Sequence, residues 1–315
     1  MLKTFLAALA FGLALWLGAG LLIEGLFAPR TVRGERIEVG GRKMRLVCAG
    51  PAKSERPTVW LEAGAFGFSA DFGDLQAALA ARGLRVCAYD RAGLGYSDPG
   101  PRPRDSQAVV DDAVRLMDAA GVTGPVILLG HSMGGQHVRL LATQHPDRVA
   151  GLVLVDATTP EAVEIPLVAR FVRVFGRLSQ AVAGANSVGL AKPLFFLGDR
   201  IGLADAGAVR EKQAMFVSGR HARNAADEAA HWLDGAAHAR AAGGLPPSLP
   251  VAVVTAGPAP ENGAGVWAQA QAAPARASEA GAYAAVREAG HATILSHAHN
   301  AAIVAAVERM AAAAR

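Results

Sequence analysis

One stretch of this chain has the residue types and spacing for nucleophilic chemistry: VILLGHSMGGQHVRLLA, residues 126–142. Within it, Gly130-His131-Ser132-Met133-Gly134 is a G-x-S-x-G lying between a short apolar run and a helix-like run. In that strand–turn–helix setting the motif holds a serine hydroxyl above the end of a sheet. The glycines follow from sterics, because a Cβ at position 130 or 134 would crowd the neighbouring strand and helix. The helix that begins there aims its first N–H groups at the site and favours developing negative charge. Ser132 is therefore the candidate nucleophile. A hydroxyl is a weak nucleophile alone and needs an imidazole to accept its proton. Neither a C-x-x-C nor a His/Cys cluster at metal-ligand spacing occurs, so no metal or cofactor is expected.

The elements that must position this serine are readable around it. The chain has 315 residues, 52% of them apolar, enough for one large α/β domain or one domain with an insertion. Residues 36–39 and 44–48 flank Gly40-Gly41 and read as a β-hairpin. Short apolar runs follow at 58–61, 86–89, 126–129, 152–155 and 251–255, with a weaker one at 283–286. Helix-like stretches such as 105–120 and 135–145 separate them, the latter stopped by Pro146. Near-continuous apolar strands alternating with helices predict a mostly parallel sheet covered on both faces. Residues 158–250 break the rhythm with helix-like segments at 163–178, 205–220 and 225–242 and no convincing strand. They read as a helical insertion over one end of the sheet, leaving at Leu245-Pro246-Pro247; an independent domain is the alternative.

The amino-terminal segment, residues 1–28, stands apart. Residues 4–23 carry no charge for 20 positions, about what a helix needs to cross a bilayer core. A cleaved signal usually has a shorter apolar stretch and a small residue where this chain has Leu26. A retained membrane anchor is favoured over a cleaved signal. Arg30, Arg33 and Arg36 after the span would put the C-terminal side in the cytoplasm. Elsewhere the net charge is a small +4, and only five of the 31 basic residues are Lys. No dense basic run carries interleaved aromatics, so no nucleic-acid partner is expected.

Two further segments accompany the serine motif: YDRAGLGYSDPG, residues 89–100, and HPDRVAGLVLVDA, residues 145–157. From residue 36 onward the chain resembles the α/β-hydrolase superfamily, particularly its bacterial esterase-like serine hydrolases. The resemblance implies an eight-stranded, mostly parallel sheet with helices on both faces and a helical lid inserted after the sixth strand. Residues 36–157 and 250–315 would form the core and 158–249 the lid. It also implies a triad in the chain order serine, acid, histidine. Asp90, Gly93, Gly95 and Ser97 match the family's turn after a strand and read as structural.

Of the nine histidines, His291 alone combines the end of the last strand with a preceding Gly290, the family's Gly-His pair. It is the expected general base. His221, His231 and His238 fall in the lid, and His297 and His299 read as surface residues of the terminal helix. The acid usually follows the seventh strand, but VAVVTAGPAPENG contains no Asp, only Glu261. The superfamily's other location is the end of the sixth strand, where Asp156 stands, so Asp156 is favoured over Glu261. For the oxyanion hole the resemblance implies the backbone N–H groups of Met133 and of Ala65, in LEAGAFGF after the third strand. Phe66 and Phe68 would line an acyl pocket, with exposed loop aromatics as the alternative. The family's strand order places Cys48 and Cys87 on neighbouring antiparallel strands; a disulfide there, arguing for an extracytoplasmic site, stands beside two buried thiols.

The function this implies is hydrolysis of a carboxylic ester or related acyl bond of a small-molecule substrate through an acyl-enzyme. Acyl transfer or cofactor-free perhydrolysis would use the same triad. A non-catalytic binding module that kept the fold is the rival from another class.

Overall fold

Short apolar strands whose residues alternate between two faces can feed two cores at once, and these do. In the computed structural model, which describes residues 1–27, 32–258 and 266–314, eight strands form one sheet. They are β1 (Glu35–Val39), β2 (Arg42–Ala49), β3 (Val59–Glu62), β4 (Val86–Tyr89), β5 (Val126–His131), β6 (Val149–Val155), β7 (Val251–Ala256) and β8 (Ala282–Val286). Their spatial order is β1-β2-β4-β3-β5-β6-β7-β8. β2 runs antiparallel to both β1 and β4, and the pairs from β4 onward are parallel. The helices are α1 (Leu2–Phe27), α2 (Gly73–Ala80), α3 (Ser106–Ala119), α4 (Gly134–Gln144), α5 (Pro166–Ser187), α6 (Ala206–Phe216), α7 (Gly219–Ala230), α8 (Trp232–Ala241), α9 (Val266–Ala277) and α10 (Ala301–Ala313).

Val59, Leu61, Ile127, Leu129, Val153 and Val155 face one core, shared with α2 and α10. Their strand neighbours Trp60, Leu128, Leu152 and Leu154 face the other, under α3 and α4. This is the period-2 alternation of a sheet buried on both faces. Cys48 and Cys87 lie opposite each other across β2 and β4 and are joined as a disulfide. The open choice between a bridge and two thiols is thus resolved in this structure for the bridge.

Between β6 and β7 the elements are helical: α5, α6, α7, α8 and short 3₁₀ turns, with no strand among the described residues. Two expectations need correction here. The stretch 225–242 is not one helix: His231 leaves helical geometry (φ −95°, ψ 13°) and its ring pairs with Asp234, 2.8 Å away, at the start of α8. The segment 205–220 likewise ends at Phe216, and Ser218 then caps α7 by accepting the His221 N–H. His297 and His299 lie in the turn before α10, which starts at Ala301, and His297 docks on Asp74. Two buried ion pairs tie this segment to the core: Glu211 of α6 holds Arg45 of β2 at 2.8 Å, and Glu228 of α7 holds Arg91 at 2.9 Å. Arg30 and Glu261 lie outside the described residues.

Candidate active site

Ser132 sits where β5 turns into α4, at φ +54°, a left-handed conformation costly for a residue with a Cβ. Hydrogen bonds on both sides hold that conformation. Its N–H donates to the carbonyl of Val155 at 3.1 Å, and its own carbonyl accepts from the N–H groups of Gly135 and Thr158, each at 3.1 Å. The glycines are needed for space. A Cβ at Gly130 would lie 2.5 Å from Val138 Cγ2, and one at Gly134 would lie 2.6 Å from the carbonyl oxygens of Glu62 and Ala63.

His291, in the loop after β8, receives the serine: Ser132 Oγ is 2.9 Å from His291 Nε2. On the other side of the ring, Nδ1–H donates to Asp156 Oδ2 at 2.6 Å. Asp156 follows β6 at φ +41°, pinned by its N–H to the carbonyl of Val254 at 2.7 Å. Its Oδ1 accepts from Gln271 Nε2 at 3.0 Å and from the Ala256 N–H at 3.3 Å. Burial favours the neutral acid, but the bonds from His291, Gln271 and Ala256 outweigh it and hold the carboxyl below its ordinary range. The structure therefore brings Ser132, His291 and Asp156 into one hydrogen-bonded chain. Such a chain can pass a proton from hydroxyl to imidazole while fixing the ring's tautomer.

Met133 and Ala65 flank the serine. Gly64 lies so close that a Cβ there would come within 2.9 Å of Ser132 Cβ, which brings the 63–66 loop against Ser132. Among the described residues no acceptor pairs the N–H of Met133 or of Ala65. The 63–66 loop is itself clamped. Arg91 donates to the carbonyls of Ala63 (2.7 Å) and Gly64 (2.9 Å) while paired with Glu62 and Glu228. At its far end Phe66, at φ +60°, presents its carbonyl to His221 Nε2 at 3.1 Å. His221 Nδ1 in turn accepts the Gly95 N–H at 3.0 Å. That pattern requires a neutral ring, and burial lowers the His221 pKa to about 3 despite the opposing bond to Phe66.

Several supporting residues carried no signal in the sequence. His131, one residue before Ser132, packs on the His291 ring (centroids 4.9 Å apart) and its Nε2–H donates to the His291 carbonyl at 2.9 Å. Burial, then the neighbouring His291, push its pKa down to about 4, which keeps a positive charge away from the His291 ring. Gln271 lies 115 positions from Asp156, and no spacing rule connects them. His221 is one of three histidines within 158–249, and nothing in its spacing marks it out.

A cavity of about 640 Å³ opens over Ser132 and His291, within the range of small-molecule sites. Phe66, Phe68, Val182, Leu197, Met215 and Phe216 form much of its apolar wall. Both phenylalanines line this cavity, with Phe68 packed edge-on against His221. Among the described residues no His/Cys/Asp/Glu cluster is arranged to hold a metal ion.

Comparison with known proteins extends this picture. Residues 57–194 match the family described as alpha/beta hydrolase fold. The chain is 36% identical over 126 residues to an sn-1-specific diacylglycerol lipase of Mus musculus, covering 35% of this chain and 40% of that one. It is 39% identical over 98 residues to a pyrethroid hydrolase of Sphingobium wenxiniae, covering 28% and 33%. The chain thus spans less than half the length of these curated relatives. Among solved structures, a thermophilic esterase from Thermogutta terrifontis superposes with a TM-score of 0.61 over 90% of this chain and 99% of that one, at 19% identity. Strand order, the turn at Ser132 and the family match agree: the chain has the α/β-hydrolase fold.

Proposed function

We propose that this chain is a serine hydrolase that cleaves a carboxylic ester, or a related acyl bond, of a small-molecule substrate. The observation that carries the reading is the continuous chain from Ser132 Oγ through His291 to Asp156, at 2.9 and 2.6 Å. Ser132 Oγ attacks the acyl carbonyl as its proton passes to His291 Nε2. The carbonyl oxygen, now negative, is met by the N–H groups of Met133 and Ala65. His291 returns the proton to the departing alkoxide, leaving an acyl-serine. Water then attacks that ester with His291 again as base, releasing the acid and restoring Ser132. Asp156 holds the ring through Nδ1–H and stabilises the imidazolium. In this reading residues 36–157 and 250–315 are the catalytic core and 158–249 the lid that selects the acyl group. Hydrolase names among the relatives support the reaction class, and the apolar cavity wall supports an apolar acyl group.

The same reading makes α1 a membrane anchor. It is long and apolar enough to span, and almost none of it is buried against the protein. The Cys48–Cys87 bridge supports a catalytic domain on the extracytoplasmic side. Labelling with a fluorophosphonate tests the core of the reading. The wild type should be labelled and Ser132→Ala should not; labelling of neither would move the binding-module alternative ahead.

A further inference from the structure

The segment between β6 and β7 carries a surface that the fold leaves uncovered. Along α5, the inward-facing residues Val172, Gly176, Ser179 and Ala183 are buried. Beside them Leu167, Phe171, Val174, Leu178 and Val182 recur every three or four residues, forming one stripe, and all are exposed. Arg170, Arg173 and Arg177 form an adjoining row, likewise exposed and in no ion pair among the described residues. The 3₁₀ turn Lys192–Leu197 continues the apolar surface with exposed Leu194, Phe196 and Leu197, next to exposed Val188 and Leu190. An apolar stripe bordered by a row of arginines is the pattern of a helix lying in a bilayer interface, where the arginines meet lipid phosphates.

Two further observations identify the occupant of this surface. First, α1 touches one edge of it, at residues 189–193, and leaves the α5 stripe uncovered. Trp16 Nε1–H donates to the Leu190 carbonyl at 2.9 Å, Gly20 sits against Gly189 and Lys192, and Glu24 pairs with Lys192. From Glu24, at the end of the apolar run, back to Trp16 is eight residues, about 12 Å of helix. A span seated in a bilayer therefore carries the 188–197 region to a depth close to the roughly 5–10 Å of interfacial helices. Second, the surface runs into the catalytic cavity: Val182 and Leu197 are exposed on it and also line the cavity over Ser132.

We propose that the exposed apolar face of α5 and the 188–197 region lies in the membrane leaflet at the C-terminal end of α1, and that lipophilic acyl esters pass from that leaflet into the catalytic cavity. This rests on reading α1 as an anchor and the cavity as an acyl-ester site. Val182 and Leu197 form the threshold, so an acyl chain moves from lipid to the cavity wall without crossing water. The arginine row sets the rotation of α5 about its axis by holding to the headgroups.

The test uses the full chain in vesicles of phosphatidylcholine and phosphatidylglycerol. Both native cysteines are bonded, so an introduced thiol is labelled selectively. A fluorophore is attached through Leu9→Cys on α1 or Phe196→Cys on the proposed face. The expected result is loss of fluorescence at both sites with nitroxide carried on the lipid acyl chains and little loss with aqueous iodide. Quenching of the Leu9→Cys label by lipid, with the Phe196→Cys label reached by iodide alone, overturns the proposal and leaves the anchor standing. Lipid quenching at neither site overturns both. The access route is read with the triple variant Phe171→Ser, Leu178→Ser, Phe196→Ser. Hydrolysis of a long-chain ester dissolved in the bilayer should fall at least about tenfold, because withdrawing even one such side chain from lipid forfeits that much. A short, water-soluble ester should be turned over at nearly the wild-type rate. An equal effect on the two esters, or none, overturns the access route. A wild type that hydrolyses neither ester defeats the esterase reading, while the quenching pattern still decides the face.

Discussion

At Asp156 the backbone and the side chain are committed together. The N–H continues the β6–β7 ladder to Val254, and the carboxylate accepts from His291, Gln271 and the Ala256 N–H. Because those bonds lower its pKa, Asp156 contributes stability above its unfolded value of about 4, and that contribution is lost as pH falls through the lower native value. Its charge is therefore intact at neutral pH, when His291 must be held in the Nδ1–H tautomer. Asp156→Asn should lower kcat about 10⁴-fold, as expected when the imidazole is left in the wrong tautomer. Glu261→Gln should stay near the wild-type rate. Steady-state turnover of a chromogenic ester decides it, and the reverse ranking would move the acid to Glu261. Ser132 could be read because its motif is local: glycines, strand and helix all lie within a few residues. Asp156 could be read only through the family resemblance, which implies an acid after the seventh or the sixth strand, and the absence of Asp from 251–263 favours the latter. Gln271 and His131 escaped because their contacts are made across the fold and leave no spacing to detect.

At the scale of elements, α7 is the organiser that sequence pattern did not reveal. The strands were readable because each is a short apolar run, and the two chain ends of the insertion feed adjacent strands β6 and β7. The break between α7 and α8 was not readable, since the small apolar residues of 225–242 keep a helical period straight through His231. Yet α7 reaches both loops that shape the site. Arg220 donates to the carbonyls of Gly93, Gly95 and Ser97, and His221 bridges Gly95 and Phe66. The neutral His221 has a measurable consequence. Its pKa is about 3 in the fold against about 6.5 unfolded, so the unfolded chain binds the extra proton. Stability is therefore fully present above about pH 6.5 and declines as pH falls toward about 3. His131, with its pKa near 4, acts in the same direction. Melting temperatures by circular dichroism should fall on acidification from about pH 6.5 to about 4, and His221→Gln should make that slope shallower. An unchanged slope would mean that His221 titrates normally.

For the whole molecule, the disulfide and the site occupy different halves of the sheet. Cys48–Cys87 ties β2 to β4, while Ser132, Asp156 and His291 follow β5, β6 and β8. The bridge spans 39 positions, for which loop-closure entropy gives about 4 kcal/mol of stabilisation. Cys48→Ala with Cys87→Ala should lose about that much in urea unfolding, with ester turnover well below the transition nearly unchanged. A matching loss of turnover would mean that the two halves of the sheet are coupled. A free-thiol count on the unfolded, unreduced chain checks the bridge itself: no free thiols is expected, and two would exclude it.

With α1 as the proposed anchor, its seat on the 188–192 region also sets what kind of search the proposed hydrolase makes. A catalytic domain on a slack leash would sample a hemisphere of solution and meet its substrates in three dimensions. Trp16 on Leu190 and Glu24 on Lys192 remove that slack, because they fasten the helix to the domain at two levels along its axis. With α1 in a bilayer, the cavity mouth is held at a fixed height and tilt, and encounter becomes a two-dimensional process. The quantity that governs rate is then the mole fraction of ester in the membrane. Diluting the vesicles in buffer at constant lipid composition should leave turnover per enzyme unchanged, whereas diluting the ester with inert lipid should lower it.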